Sequence, residues 1–460
     1  MTTTASRPLG VMGLGKSGCS AVAALQAQGR TVWAWDDGEP ARQAAQAAGL
    51  TLTDLHTADL SALDLLVWSP GIPHILPRPH PVARHARAAG VPVVCDVELL
   101  LQRNPLAKVV AITGTNGKST TTTLIAHLLR HAGLRVEVGG NLGIPALDLA
   151  PLGADGVYVL ELSSYQLELL DQAQVDVGVL LNITPDHLAR HGDMAGYAAV
   201  KAGLFARLRE TGTAIIGVDD RYCAEIAANL PLAQRVRVSV CGQDAEIMVE
   251  TQHLLDQRDQ MRLDLSDLPR LPGQHNRQNI GMAVAACRAL GVSPTDLTDG
   301  LRCYPGLAHR QEWIDTVDGV RHINDSKATN ADATEKALVC YDTIYWILGG
   351  QAKEGGIESL TPLFSRIRRA FLIGEAAPAF AETLTAGQVA FESCGTLERA
   401  VPQAQAAALA DGVADPVVLL SPACASWDQF RSFEHRGDCY RALVAALPRA
   451  AALASSDQGR

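Results

Sequence analysis

The sequence predicts an α/β protein of three domains, each built round a largely parallel sheet. Three observations predict it. Short apolar runs of strand length alternate with longer helix-like stretches along most of the chain, the pattern of strands joined by crossover helices. Several of these runs end in glycine turns or polar clusters, and open α/β sheets hold their ligands at the carboxyl ends of strands. The 460 residues allow about three domains at ~150 residues each, and a 47 % apolar content is enough to fill their cores.

The first domain is expected over residues 1–97. Leu9 to Met12 reads as a strand, followed by Gly13-Leu14-Gly15-Lys16-Ser17-Gly18 and an alanine-rich helix to Gln28. A second strand, Thr31 to Trp35, ends at Asp36-Asp37. Strand, G-x-G-x-x-G turn, helix and an acid about 20 positions on make a Rossmann-like unit. The acid could meet the ribose of NAD or of another nucleotide, and the turn alone does not choose. Leu65 to Trp68 reads as a further strand running into Ser69-Pro70-Gly71-Ile72-Pro73.

The second domain is expected over residues 98–304, as a P-loop ATPase-like sheet. The apolar run Val109 to Ile112 leads into Thr113-Gly114-Thr115-Asn116-Gly117-Lys118-Ser119-Thr120 and then a helix-like stretch to His131. This is a shortened phosphate loop, with Ile112 where the full pattern has its first glycine. Small residues let backbone N–H groups converge on an anion, and the helix start adds partial positive charge. Lys118 would reach the outer phosphates, and the Ser119 hydroxyl would hold Mg²⁺.

More strands follow in this domain. Gly156 to Glu161 runs into Leu162-Ser163-Ser164, Val177 to Ile183 into Thr184-Pro185-Asp186-His187, and Ala214 to Val218 into Asp219-Asp220. Glu161 could hold Mg²⁺ at its strand end or cap a helix, and with His187 it could form one cation site beside Lys118. Lys201, on a helical stretch, reads on its own as a solvated lysine. Val236 to Leu268 breaks the alternation and reads as a small antiparallel annex.

The third domain, residues 305–460, is expected to be a second Rossmann-like sheet. Its strands are Val320 to Ile323, Ile344 to Leu348, Ala370 to Ile373 and Val417 to Leu420. Three of them end in Asn324-Asp325-Ser326-Lys327, Gly349-Gly350 and Ser421-Pro422. Arg310 could grip a phosphate or carboxylate with two N–H groups, and Asp325 could accept ribose hydroxyls. Each also reads as half of a surface ion pair.

The totals exclude some classes. A net charge of −10 argues against a nucleic-acid partner, whose footprint is basic. Ten cysteines, with no C-x-x-C and no zinc-spaced Cys/His cluster, suit reduced thiols in the cytosol. No run approaches ~18 apolar residues, so no membrane span is expected. Met1 to Leu9 lacks an apolar signal core, and the expected location is the cytoplasm.

Taken in order, the motifs resemble the Mur ligase family of bacterial peptidoglycan synthesis. Besides those above, the resemblance rests on Gly273-Gln274-His275-Asn276, His309-Arg310, Asn324 to Asn330 and Leu420 to Ser426, and it spans nearly the whole chain. It implies an ATP-dependent acid–amino-acid ligase. The γ-phosphate of ATP would pass to the carboxylate of UDP-N-acetylmuramoyl-L-alanine, and the amine of D-glutamate would attack the acyl phosphate. Lys118 and two Mg²⁺ ions would offset the repulsion between the two anions. A monomer is expected.

Residue roles carry over from the family by motif. Gly114, Thr115, Asn116, Gly117, Lys118, Ser119 and Thr120 would bind ATP, with Asn276, Arg310 and Asp325 orienting it. Ser119, Glu161 and His187 would hold Mg²⁺. Lys201 matches a carbamylated lysine whose new carboxylate would join the second metal. Lys118, Glu161, His187 and Lys201 would thus form the catalytic set. Lys16, Ser17, Asp36, Asp37, Ser69, Gly71, Asn141 and His187 fall where the family meets UDP and its sugar, and Thr329, Lys353, Ser426 and Phe433 where it meets D-glutamate. The chain departs from the family at Gln351, where relatives often carry an acid, at Trp427 and at Asp37.

Overall fold

The computed structural model describes residues 7–268, 270–351 and 356–449. The chain divides into two compact units, one of Met1–Asp267 with Asn276–Tyr304 and one of Leu268–His275 with Pro305–Arg460.

The first unit holds two sheets. One is four-stranded and parallel, in the order β2-β1-β3-β4, from β1 (Leu9–Met12), β2 (Val32–Trp35), β3 (Leu66–Trp68) and β4 (Val93–Val94). The other is nine-stranded and consists of β5 (Lys108–Thr113), β6 (Arg135–Gly140), β7 (Gly156–Glu161), β8 (Val175–Leu180), β9 (Leu208–Gly217), β10 (Arg235–Ser239), β11 (Ile247–Val249), β12 (His253–Asp256) and β13 (Met261–Asp264). Its order is β13-β12-β11-β10-β9-β8-β5-β7-β6. The expected annex is the far edge of this sheet. β10 and β11 continue it in parallel, and only β12 and β13 turn antiparallel.

β5 lies between β7 and β8, and all but its first residue are buried. That explains its unbroken apolar run, because a central parallel strand has helices on both faces. The carboxyl ends of β5, β7 and β8 therefore share one rim.

The two sheets of this unit share a core. Met12, Leu66 and Trp68 of the first pack in one cluster with Tyr158, Leu160 and Val175 of the second. The helix Asp96–Arg103 runs through position 97, where the first expected domain ends. On it, Glu98 is fully buried. Its Oε2 accepts from the N–H groups of Asp171 (2.9 Å) and Ala173 (3.2 Å), and its Oε1 from that of Gln172 (3.0 Å). A buried carboxylate holding three backbone donors is well compensated, and losing it would orphan all of them.

The second unit is one six-stranded sheet of β14 (Glu312–Val317), β15 (Val320–Asn324), β16 (Ile344–Gly349), β17 (Ile367–Ile373), β18 (Phe391–Gly395) and β19 (Val417–Leu420), ordered β14-β15-β19-β16-β17-β18. β14 and β15 form an antiparallel hairpin, and the rest is parallel. Separate apolar clusters cover its two faces, one around Trp346 and Leu348, the other around Tyr345 and Ile347. The alternation along β16 follows from the two-residue period of a strand. Among the described residues no helix is long and apolar enough to cross a membrane.

Candidate active site

The phosphate loop leaves β5 at Thr113 and enters the helix Lys118–His131. Gly117 caps that helix at φ +84°, and a Cβ there would stand 2.3 Å from Asn279 Oδ1. Only glycine allows both the turn and the approach. The loop is fixed from one side by Asn182. Its carbonyl accepts from Thr115 N at 2.8 Å and its Oδ1 from Asn116 N at 2.9 Å, while its own amide donates to Gln278 Oε1 at 2.8 Å. The first-turn N–H groups of a helix have no intrahelical acceptor, which suits this end to an anion. Lys118 Nζ folds over the loop and donates to the carbonyls of Gly114 (2.9 Å) and Thr115 (2.8 Å).

Lys201 does not read as it would in isolation. It comes up under the same loop from the helix Met194–Ala202 and is 1 % exposed. Its Nζ donates to Gly114 O at 2.8 Å and Thr113 Oγ1 at 3.3 Å, and stands 4.7 Å from the centre of the Tyr197 ring. Burial, and then the nearby charge of Lys118, pull its pKa down to about 7. A sizeable fraction is therefore neutral amine at neutral pH, the nucleophilic form.

Glu161 ends β7 and is 3 % exposed. Its Oε1 accepts from Asn141 Nδ2 at 2.9 Å, while its Oε2 is buried without a hydrogen-bond partner. An orphaned buried carboxylate oxygen is costly unless a cation meets it, so the residue fits a hard metal ion. Ser119 is buried in the first helical turn. His187 takes a left-handed conformation (φ 51°) that opens the helix Leu188–His191, and its ring lies 5.0 Å from that of Tyr165.

A cavity of about 500 Å³ joins Lys118, His187 and Lys201 to the first sheet. Lys16 and Ser17, which open the helix after β1, and Gly71, in the turn after β3, line it from the first sheet; Lys118, Asn141, His187 and Lys201 line it from the second. Tyr165, Gln166 and Tyr197 also line it and were not singled out from the sequence. Ser163 and Gln166 carry a readable signal, since S-x-x-Q is a capping box, and the box forms here. Tyr197 lies one helical turn before Lys201.

Behind the wall, Arg190 donates to Glu168 Oε2 at 2.8 Å and bonds His74 Nδ1 at 3.0 Å. Burial and the Arg190 charge lower the His74 pKa to about 4, so His74 is a neutral acceptor. This cluster ties a loop of the first sheet to the helix that begins after His187.

Asp36, Asp37 and Ser69 are not among the residues that line this cavity. Asp36 accepts from the N–H of Leu14 and of Gly38, each at 2.7 Å, and so holds the glycine turn. The Ser69 side chain packs against Gly13, where a Cβ would meet it at 2.5 Å. The Asp37 carboxylate sits between His56 Nε2 (2.8 Å) and His80 Nε2 (2.7 Å). Burial raises its pKa, but hydrogen bonds from both histidines and their charge outweigh that and hold it below the usual carboxylate range. Asn276 is buried and accepts from Asn279 Nδ2 at 2.9 Å.

In the second unit, the loops after β15 and β19 meet at the carboxyl rim of their sheet. Asp325 Oδ1 accepts from Gln311 N (3.1 Å) and Oδ2 from Ser421 Oγ (2.8 Å). Phe433 opens the helix Phe433–Ala445, with Lys327 Nζ 4.5 Å from its ring centre. Ser426 is buried, and Trp427 beside it is exposed. Thr329 lies in the turn after β15, where its N–H donates to Lys327 O at 2.8 Å. Gln351 pairs its backbone with Ala425. Lys353 lies outside the described residues.

The sequence reading missed Arg436, which is fully buried and donates to Ser326 Oγ (3.0 Å), Ser326 O (2.9 Å) and Cys424 O (3.1 Å). It clamps the two loops together. A lone arginine in a helix gives no sequence signal of that kind.

Burial raises the Asp325 pKa to about 7 against hydrogen bonds from Ser421 and Gln311 and the charge of Arg310. The unfolded chain ionises near 3.8 and the folded chain near 7, so this acid costs stability progressively as pH rises through that window, and by a constant amount above it. Asp325→Asn keeps an acceptor for Gln311, and the Ser421 hydroxyl can turn to accept. The variant is expected to melt higher than the parent by roughly 5 °C more at pH 8 than at pH 4.5. Scanning fluorimetry at the two pH values checks this. A constant offset would show that Asp325 ionises normally.

Residues 8–95 match the Mur ligase MurD-like, N-terminal domain, and residues 112–287 the Mur ligase middle domain. The chain is 56 % identical over 444 residues to a UDP-N-acetylmuramoylalanine–D-glutamate ligase of Paramagnetospirillum magneticum, covering 96 % of this chain and 97 % of that one. It is 51 % identical to the protein of the same name from Rhodospirillum rubrum, over 98 % of this chain and 97 % of the other. Its fold is similar to the crystal structure of UDP-N-acetylmuramate–alanine ligase from Thermotoga maritima, with a TM-score of 0.59 at 15 % identity, covering 95 % of this chain and 99 % of that one.

Proposed function

The chain belongs to the Mur ligase family, and from that premise we propose that it joins D-glutamate to UDP-N-acetylmuramoyl-L-alanine at the expense of ATP, as a cytoplasmic monomer. One observation in the structure supports this most directly. A single cavity runs from Lys16 and Ser17, beside a nucleotide-type glycine turn, to Lys118 and Lys201, beside a phosphate loop. A uridine-linked sugar acid seated at one end would present its carboxylate to the terminal phosphate of a nucleotide at the other.

The division of labour follows the three sheets. Residues 1–97 take the UDP part through Lys16, Ser17, Asp36, Asp37, Ser69 and Gly71, with Asn141 and His187 at the sugar end. Residues 98–304 hold ATP through Gly114 to Thr120 and Asn276. Residues 305–460 add Arg310 and Asp325 toward ATP, and Thr329, Lys353, Ser426 and Phe433 toward D-glutamate.

The chemistry follows from the residues. Lys118 exchanges its carbonyl partners for phosphate oxygens, and the first-turn amides fix the same anion. The neutral Lys201 amine attacks CO₂; a C–N bond forms, the amine loses a proton, and a carbamate anion stands beside the loop. Ser119, Glu161, His187 and that carbamate would hold Mg²⁺, which when bound screens the phosphate charge from the incoming carboxylate. A carboxylate oxygen then attacks the γ-phosphorus and ADP leaves. The D-glutamate amine attacks the acyl carbon, and orthophosphate leaves with the oxygen that made the bridge.

Labelling the substrate carboxylate with ¹⁸O tests this. One labelled oxygen is expected in each orthophosphate released, and D-glutamate should surpass L-glutamate, L-lysine and meso-diaminopimelate as acceptor. Unlabelled phosphate would overturn the acyl-phosphate route, and a better acceptor would overturn the substrate.

A further inference from the structure

Arg436 clamps two loops of the second unit, and it does so as an enclosed cation. It is 0 % exposed, and among the described residues its hydrogen-bond partners are all neutral: Ser326 Oγ and O, Cys424 O and, at 3.4 Å, Ala425 O. An enclosed arginine is as a rule met by a carboxylate, because neutral acceptors solvate its charge without cancelling it. Burial pulls the Arg436 pKa from 12.5 down to about 10, so the guanidinium stays charged at neutral pH. The carboxylate whose charge acts on it is Asp428, and that group is turned to the N–H of Glu375 at 3.1 Å. Asp325, a buried acid of the same rim, has its pKa raised by burial to about 7 and so is about half protonated at pH 7.

The place of this charge gives it a use. Ser326 Oγ, which accepts from Arg436, itself donates to Phe433 O at 2.8 Å. Ala425 precedes Ser426 and pairs its backbone with Gln351. At Gly350 a Cβ would stand 3.2 Å from one guanidinium nitrogen of Arg436. The guanidinium therefore touches or borders the turn after β15, the loop after β19 and the loop after β16. Inside packed protein the field of such a charge is screened far less than at a wet surface.

We infer that Arg436 is a specificity-determining residue for the amino-acid acceptor, its uncancelled charge drawing a dicarboxylate to this rim without touching it. The inference rests on the assignment of D-glutamate to Thr329, Lys353, Ser426 and Phe433 above. D-glutamate brings two carboxylates and one ammonium, and the extra carboxylate is what sets it apart from an ordinary amino acid. The fork of Arg436 positions the loops, and its charge selects the acceptor. The two roles are separable. Lysine keeps the charge and loses the fork, while methionine loses both at similar length. A lysine under the same downward pull would titrate at about 8 and stay mostly charged at pH 7.

Full-length Arg436→Lys and Arg436→Met, compared by melting and by the KM of each substrate at pH 7, test this. Both variants lose the fork and should melt lower by similar amounts. Methionine should raise the KM for D-glutamate about tenfold or more and leave that for ATP within about threefold of the parent, whereas lysine should keep both within about threefold. Equal rises in the two variants, or a rise for ATP as large as that for D-glutamate, would reduce Arg436 to a clamp and overturn the inference. If the methionine variant does not fold, Asp428→Asn carries the test. It removes the opposing charge and keeps an acceptor for Glu375 N–H. The KM for D-glutamate should then fall by about twofold or more, where mere loosening of the loops would raise it. An unchanged or higher KM would overturn the inference. The parent protein separates the two readings: a better acceptor than D-glutamate would sink the functional assignment and this inference with it, while a D-glutamate-specific parent whose variants do not diverge would sink this inference alone.

Discussion

Replacing Lys118 by alanine is expected to lower kcat by about 10³-fold, the loss seen when one preorganised donor to a transition-state charge is removed. The reason lies in the local electrostatics. Lys118 points its ammonium group at the loop carbonyls of Gly114 and Thr115, so positive charge is concentrated where a triphosphate would end. The side chain is only partly buried, and the carbonyl of Gly114 keeps Lys201 as a donor once Lys118 is gone. The thermal midpoint should therefore move by no more than about 3 °C. Phosphate release and melting, measured on the same preparation, separate the two effects. An unchanged kcat would remove Lys118 from the reaction.

The second large effect is expected at Lys201. Lys201→Ala should lose activity by a similar factor, and short carboxylates such as formate or acetate should restore part of it in a concentration-dependent way. The cavity left by the side chain would admit an acid in place of the carbamate. Rates measured against carboxylate concentration provide the check, and a flat response in a folded variant would mean that no carboxylate is needed there.

The parent enzyme offers an independent test. Only the neutral amine takes up CO₂, and the Lys201 pKa is about 7, far below its ordinary 10.5. Activation of CO₂-depleted enzyme by bicarbonate should thus be full above pH 8 and fade as pH falls through about 7. A normal lysine would show no such response until pH neared 10.5.

Central strands were readable in the sequence, whereas of the edge strands β2 was and β6 and β18 were not. β5, β7 and β16 are buried on both faces, so they announce themselves as apolar runs. β6 and β18 lie at sheet edges with mixed burial, and the segments Arg-Val-Glu-Val and Phe-Glu-Ser-Cys carry no such run. The phosphate loop was legible because its chemistry is contiguous. The burial of Lys201 was not, since it depends on a helix folding back under a loop 87 residues away.

Glu98 has a consequence for the protein as a piece of engineering. Its carboxylate sits on the helix Asp96–Arg103 that links the two sheets, and the three amides it holds lie in the second sheet's segment, before β8. A gene cut between the two would yield fragments that each expose half of a shared core, one with an unanswered acid and the other with unanswered donors. Such halves would be poor solitary proteins and good mutual partners, a natural starting point for a split reporter that regains its activity only on reassembly.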